Sequence, residues 1–208
     1  MQKNVNPGGI ILLGGKSERM GTDKYLLPFF NLKLIEVLVR ELEKATAEVI
    51  LITNEPEKIS FLSHKKFADF YSVPSALTGL HAGLHYSNYE TNFVLACDLP
   101  LFDARMVSFF CDQLENAQAV IPRTSKGYET LCALYSKACL PSIERMFAEK
   151  NYAIQSLLDR ISVVTIPSEK IETVTHSGVF MNMNTPEEYR LALQEFEQKK
   201  SPAERRAL

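Results

Sequence analysis

Glycines and cations crowd the segment Leu12-Leu13-Gly14-Gly15-Lys16-Ser17-Glu18-Arg19-Met20-Gly21-Thr22-Asp23-Lys24. Glycines that follow a strand let backbone N–H groups approach a phosphate without a Cβ in the way. Arg19 can grip phosphate oxygens with two N–H groups, and Lys24 adds a compact positive charge. Further along, Asp98 follows the apolar run Phe93-Val94-Leu95-Ala96-Cys97 and precedes Leu99-Pro100. A carboxylate at a strand exit suits Mg²⁺, which takes oxygen ligands and keeps several waters. The competing reading makes Asp98 a helix cap, a task for which Asp103 is better placed. Asn54 ends a second apolar run and can read a base edge with its paired donor and acceptor. It is equally well placed as a turn residue before Glu55-Pro56.

Two common phosphate motifs are excluded. A Walker loop needs a glycine five residues before the Gly-Lys-Ser, and Ile10 stands there. No G-x-G-x-x-G spacing occurs, so the dinucleotide fingerprint fails too.

The elements that must position these residues are legible as runs and periods. Gly9–Leu13, Val49–Ile52, Phe93–Cys97, Ala119–Ile121 and Leu131–Tyr135 read as buried strands, with a shorter one expected over 68–73 and an edge strand over 163–166. Helical spacing marks 33–45, and helices are expected at 56–63, after Gly79, at 103–114, 139–149 and 153–159. Thr185-Pro186-Glu187-Glu188 opens the last helix with a capping box. Strands alternate with helices, and the strands are apolar throughout. The expected fold is α/β, a mostly parallel sheet covered on both faces. In such sheets ligands bind beyond the carboxyl ends of the strands, where Gly14, Asn54 and Asp98 all fall. Residues 1–198 are expected to form a single domain, with a charged, frayed tail over 199–208.

The chain has 208 residues, with 23 Lys+Arg against 25 Asp+Glu. Near-neutral charge gives no basis for bulk binding to nucleic acid, so an anionic substrate must be held by local donors. Cys97, Cys111, Cys132 and Cys139 match no zinc spacing and read as reduced core thiols. No apolar run approaches the roughly 20 residues that span a bilayer, and Met1–Pro7 lacks a signal sequence. A cytoplasmic protein without membrane contact is expected. His81 and His85 sit four apart with no third zinc ligand nearby, which favours ordinary histidines over a metal site.

The glycine-rich segment resembles the signature L-x-G-G-x-S-x-R-M-G-x-D-K of nucleotidyltransferases that include the molybdenum cofactor guanylyltransferases. Leu12, Gly14, Gly15, Ser17, Arg19, Met20, Gly21, Asp23 and Lys24 match it, while Leu13 stands where Ala is usual. Cys97-Asp98-Leu99-Pro100 matches the family's metal-binding segment, and Gly79-Leu80-His81-Ala82-Gly83 stands for its Gly-Pro-Leu-Ala-Gly. Asn182-Met183-Asn184-Thr185-Pro186-Glu187 is similar to its Asn-x-Asn-Thr-Pro-Glu. The likeness is loose over 123–175.

What the resemblance implies can be written residue by residue. The fold would be the three-layer, Rossmann-like, glycosyltransferase-A-like type. Leu12, Leu13, Gly14, Gly15, Ser17, Arg19, Lys24, Asn54, Gly79 and Asp98 would bind the nucleotide, with Arg19, Lys24 and Asp98 acting in catalysis and Mg²⁺ held by Asp98. An ungapped alignment puts Ser72 where the family usually carries an Asp that reads guanine, with Asp69 three residues earlier. Asn182 and Asn184 would lie near the acceptor. The implied substrates are GTP and molybdopterin carrying molybdenum, and the implied partners are molybdoenzymes or their chaperones. Attack by an acceptor phosphate on the α-phosphorus needs no general base, so positioning and electrostatics would carry catalysis. Rivals are the same fold with CTP or another phosphorylated acceptor, which Ser72 favours and the Asn pair disfavours, and a non-catalytic nucleotide-binding module.

Overall fold

The computed structural model describes residues 6–14 and 23–199. In chain order the elements are β1 (Gly8–Leu12), β2 (Pro28–Phe29), β3 (Leu32–Lys33), α1 (Leu34–Glu43), β4 (Val49–Ile52), β5 (Lys66–Phe67), α2 (Ala76–Tyr86) and β6 (Thr91–Ala96). They continue with α3 (Arg105–Gln113), β7 (Ala119–Thr124), β8 (Gly127–Tyr128), β9 (Cys132–Ser136), α4 (Leu140–Ala148), β10 (Val163–Pro167), α5 (Ser168–Glu172) and α6 (Pro186–Lys199).

Among the described residues, the main sheet runs β10-β7-β9-β6-β1-β4-β5, with β8 on β7, while β2 and β3 form a separate ribbon. The neighbours β6, β1, β4 and β5 are parallel; β9 runs antiparallel to both β6 and β7. Successive residues of the central strands feed opposite faces. Ile11, Leu51 and Leu95 join the core under α1, α3 and α6. Ile10, Leu12, Ile50, Ile52 and Val94 join the core under α2 and α4. Helices thus cover both faces, which is why these strands are apolar throughout rather than alternating. The expected α/β class, with a mostly parallel sheet, is what is found.

The start of β1 has no room for side chains. A Cβ on Gly83 of α2 would come 2.6 Å from Ile10 Cγ2. Helix α2 lies this close to the central strand because Gly83 is bare.

Several expectations need correction. Residues 68–73 do not form the expected strand; the strand at this point is Lys66–Phe67, just before them. Past Phe67 the Asp69 N–H bonds the Asn54 side-chain oxygen at 3.0 Å instead of a strand carbonyl. The helix placed after Gly79 starts three residues before it, because Ser75 and Thr78 form a capping box. Residues 56–63 contain only a 3-10 turn at Pro56–Ile59. The second of the helices expected near 139–159 is likewise a 3-10 turn, at Ile154–Leu157. Residues 198 and 199 are helical rather than frayed: Lys199 donates to the Ser177 carbonyl at 2.6 Å and pairs with Glu195 at 3.0 Å. The tail from residue 200 lies outside the described residues. Cys97, Cys132 and Cys139 are buried free thiols, as expected, and Cys111 is half-buried. Among the described residues no helix is long and apolar enough to cross a membrane.

Gly83→Ala should destabilise the fold by about 1–3 kcal/mol, because the branched Ile10 side chain cannot swing clear of an added methyl. A denaturant-unfolding midpoint indistinguishable from that of the unaltered protein would show that α2 can lift off β1 freely.

Candidate active site at the strand ends

Strand register sets the site. Leu12 pairs with Ile52 on one side and with Ala96 on the other, so the chain leaves β1, β4 and β6 at one level. Gly14, Asn54 and Asp98 therefore share one edge of the sheet, as expected of a ligand site in an open α/β sheet. They line a cavity of about 620 Å³, together with Leu12, Leu13, Lys24, Asp69, Ser72 and Gly79. A cleft of about 590 Å³ opens elsewhere, beside α1 and α3. Its Lys44 and Arg105 are already paired, with Glu41 and Asp103 at 2.6 Å each, so no set of groups converges on a ligand there.

One end of the cavity is built around Asp98. Burial pushes its carboxyl above the usual aspartate range, and the nearby Lys24 charge acts in the opposite direction. The Asp98 backbone carbonyl accepts from Met183 N–H at 2.9 Å, which straps the Asn182–Asn184 segment to the end of β6. Met183 is buried, and the residues flanking it face away from the core. Asn184 takes a hydrogen bond from Lys24 Nζ. Glu188 then closes the segment by accepting from the N–H groups of Asn184 and Thr185 at 2.7 and 3.1 Å, while its own N–H donates to Thr185 Oγ1 at 3.2 Å. The capping box expected from the sequence is present. Asp103, not Asp98, bonds the first N–H of α3, Arg105 N, at 2.9 Å. Asp98 is thus released from a capping role and faces the cavity.

The residues at this end fit a magnesium ion. No salt bridge engages the Asp98 carboxylate among the described residues, and Lys24 is the nearby positive charge that acts on it. No group of three or more metal-ligating side chains occurs among the described residues. A single carboxylate beside a phosphate loop suits an ion that keeps its waters and takes the rest of its ligands from phosphate.

The other end is built around Asp69. Asn54 Nδ2 donates to Asp69 Oδ2 at 3.2 Å, and Asp69 N–H donates back to Asn54 Oδ1 at 3.0 Å. The second carboxylate oxygen, Oδ1, is buried without a partner. It lies 3.9 Å from where a Cβ on Gly79 would stand. Gly79 therefore borders an unsatisfied, buried acceptor. Burial raises the Asp69 carboxyl above its usual range, and the Asn54 bond counteracts this. Ser72 also lines the cavity, but the carboxylate there is Asp69, three residues before the aligned position.

The phosphate side is partly described. Lys58 bridges Asp23 at 2.9 Å and Glu55 at 2.7 Å, tying the end of the glycine-rich segment to the turn after Asn54. Tyr25 is buried beneath Asp23, and desolvation pushes its phenol up to about 12. Gly15, Ser17 and Arg19 lie outside the described residues. Asn182 is half-buried beside Met183. Sequence reasoning missed Tyr25, Tyr71 and Leu131 as cavity walls. Leu131 carried no signal beyond strand periodicity, and Tyr25 signalled only by following the motif lysine.

A cavity at the ends of parallel strands, with Lys24 and Asp98 at one end and the Asn54–Asp69 pair at the other, is the arrangement expected of a nucleotidyltransferase. The family model for the MobA-like NTP transferase domain matches residues 9–181, and the chain belongs to that family. It is 30% identical over 187 residues to a probable molybdenum cofactor guanylyltransferase of Carboxydothermus hydrogenoformans, covering 89% of this chain and 94% of the relative. An Aquifex aeolicus protein of the same description is 32% identical over 185 residues, covering 88% of each chain. Among solved structures, molybdopterin-guanine dinucleotide biosynthesis protein A from Archaeoglobus fulgidus superposes with a TM-score of 0.80 at 23% identity. That match covers 92% of this chain and 99% of the other, and shows the shared fold.

Lys24→Met should raise the midpoint at which Asp98 protonates, since it removes the charge that opposes desolvation. Carboxyl ¹³C chemical shifts followed against pH will read this directly. An unmoved Asp98 midpoint would mean that the two side chains do not share a field.

Proposed function

We propose that this chain transfers the GMP moiety of GTP to the terminal phosphate of molybdopterin carrying molybdenum, with release of pyrophosphate. The carrying observation is the Asn54–Asp69 pair, which lines the same cavity as Asp98 and Lys24 and leaves Oδ1 of Asp69 buried without a hydrogen-bond partner. Guanine presents N1–H and N2–H₂ side by side, and an ionised carboxylate is the acceptor best matched to that edge. Cytosine has no such pair of donors, so it would leave Asp69 buried and unmet. Asn54 locks one oxygen of Asp69 and aims the other. Membership of the family, and relatives described as probable molybdenum cofactor guanylyltransferases, support the same acceptor.

In this reading the glycine-rich segment from Gly14 to Lys24 receives the triphosphate, with Arg19 and Lys24 compensating its charge. Asp98 would hold Mg²⁺, which supplies charge neutralisation on the phosphates. An oxygen of the acceptor phosphate forms the new bond to the α-phosphorus as the bond to the pyrophosphate oxygen breaks. The electron pair of that bond leaves with pyrophosphate. The acceptor is already anionic, so no side chain has to remove a proton. Lys24 is fixed by Asn184, and Asn184 is fixed by Glu188, so the cation is oriented before substrate arrives. Asn182 and Asn184 mark the side from which the acceptor approaches.

The assay measures pyrophosphate release with each of the four nucleoside triphosphates, Mg²⁺ and molybdenum-loaded molybdopterin. GTP should be the preferred donor, and Asp69→Asn should erase that preference while leaving the fold intact. Preference for CTP would move the chain to a cytidylyl transferase. Asp98→Asn should abolish Mg²⁺-dependent turnover, and Arg19→Ala or Lys24→Ala should each lose about 1.5–3 kcal/mol of transition-state stabilisation. Full turnover by a folded Asp98→Asn protein would remove this carboxylate from the metal site.

A further inference from the structure

His81, in the middle of α2, is 5% exposed. Neither ring nitrogen has a hydrogen-bond partner. The imidazole sits instead among aromatic rings. Its centroid is 5.7 Å from Phe70, 5.4 Å from Tyr71 and 5.4 Å from Phe147, all in edge-to-face contact. Phe70 and Tyr71 immediately follow Asp69. Phe70 also stacks on Tyr86 at 4.8 Å, and Tyr71 packs on Phe147 at 4.2 Å. The loop bearing Asp69 is therefore seated on α2 and α4 by aromatic contacts, with His81 at their centre.

Leucine would fill this space with no polar atoms. A buried polar ring with no partner is a poor choice for stability alone. We infer that His81 is a positioning residue for the base-reading loop, whose neutral imidazole keeps Phe70 and Tyr71 seated so that Asp69 points into the cavity, and whose protonation unseats them. The inference rests on the reading of Asp69 as the base contact.

From α4, Glu144 Oε1 lies 3.7 Å from His81 Nε2, beyond hydrogen-bond reach but close enough to draw a protonated ring outward. From α2 itself, His85 stacks at 6.1 Å. From the loop, Tyr71 offers a phenol, and the remaining neighbours Phe70 and Phe147 carry no charge. Burial holds the imidazole below its ordinary 6.5, and Glu144 only partly offsets this. The seated loop therefore favours neutral His81, is stable above the imidazole range, and is lost as pH falls through it. Nucleotide binding, by linkage, must favour deprotonation of His81 to the same degree.

Two measurements on the full chain test this. In calorimetric titrations with GTP, the Kd of the unaltered protein should rise below pH 6.5 by up to about tenfold per pH unit more than that of His81→Leu. The nucleotide's own phosphate and the carboxyls Asp69 and Asp98 titrate in both proteins, so the difference isolates His81. His81→Leu should keep neutral-pH affinity within about threefold and match or exceed the unaltered protein in melting temperature. In a histidine NMR titration of the unaltered protein, saturating GTP should move the His81 midpoint to lower pH. Parallel pH profiles with an unmoved midpoint would overturn the positioning role. A midpoint moved by CTP and not by GTP would uphold that role and overturn the guanine reading instead.

Discussion

The parallel register of β4, β1 and β6 is the constraint on which the site depends. Because Leu12, Ile52 and Ala96 lie side by side, three chain segments emerge together. Each exit carries a different tool: a glycine turn, an amide with its carboxylate, and a second aspartate. A slip of one residue in either pairing would turn Leu12 or Ile52 to the other face and misplace the exit. The burial of both faces prevents that slip, since each strand feeds two separate cores. Stability and site geometry thus come from the same hydrophobic pattern.

The two ends of the cavity are held by different means. At the Asp98 end the support is long-range: Met183 N–H bonds the Asp98 carbonyl, and Asn184 receives Lys24 from far away in the chain. At the Asp69 end the support is one side-chain pair plus aromatic packing. The first arrangement fixes charge, and the second fixes hydrogen-bond direction. In the proposed reading the first serves the phosphates of any nucleotide and the second the base, so selectivity could change through the loop after β5 without disturbing the Asp98 end.

The apolar runs of β1, β4 and β6 announced the sheet because fully buried parallel strands have no polar face to confuse the reading. The exits at Gly14, Asn54 and Asp98 were legible for the same reason. Residues 68–73 misled because their aromatic side chains resemble a strand, whereas Phe70 and Tyr71 pack sideways on α2 and α4. Position counting could not find Asp69, since its place is fixed by a side chain fifteen residues earlier rather than by a strand ladder. The ribbon of β2 and β3 was invisible too. Its turn puts Phe30 at φ 58, a conformation that propensity argues against, and the ring packs on Phe196 at 5.5 Å. Short α5 was missed because five residues give too little periodicity.

Charge balance explains why the Asp98 end is built as it is. Asp98 is raised by burial and by Glu188, and lowered by Lys24. Left alone, it is a carboxylate at some cost in solvation. A cation bound there, as proposed, would remove that cost. Glu188 adds to this field although its carboxylate is engaged in closing the Asn184–Thr185 turn. Replacing Glu188 with glutamine would retain the turn and remove one negative charge. The Asp98 carboxyl would then titrate lower, and the ion would be bound less tightly. The position of a helix-capping glutamate thereby bears on metal affinity, through a field that acts without contact.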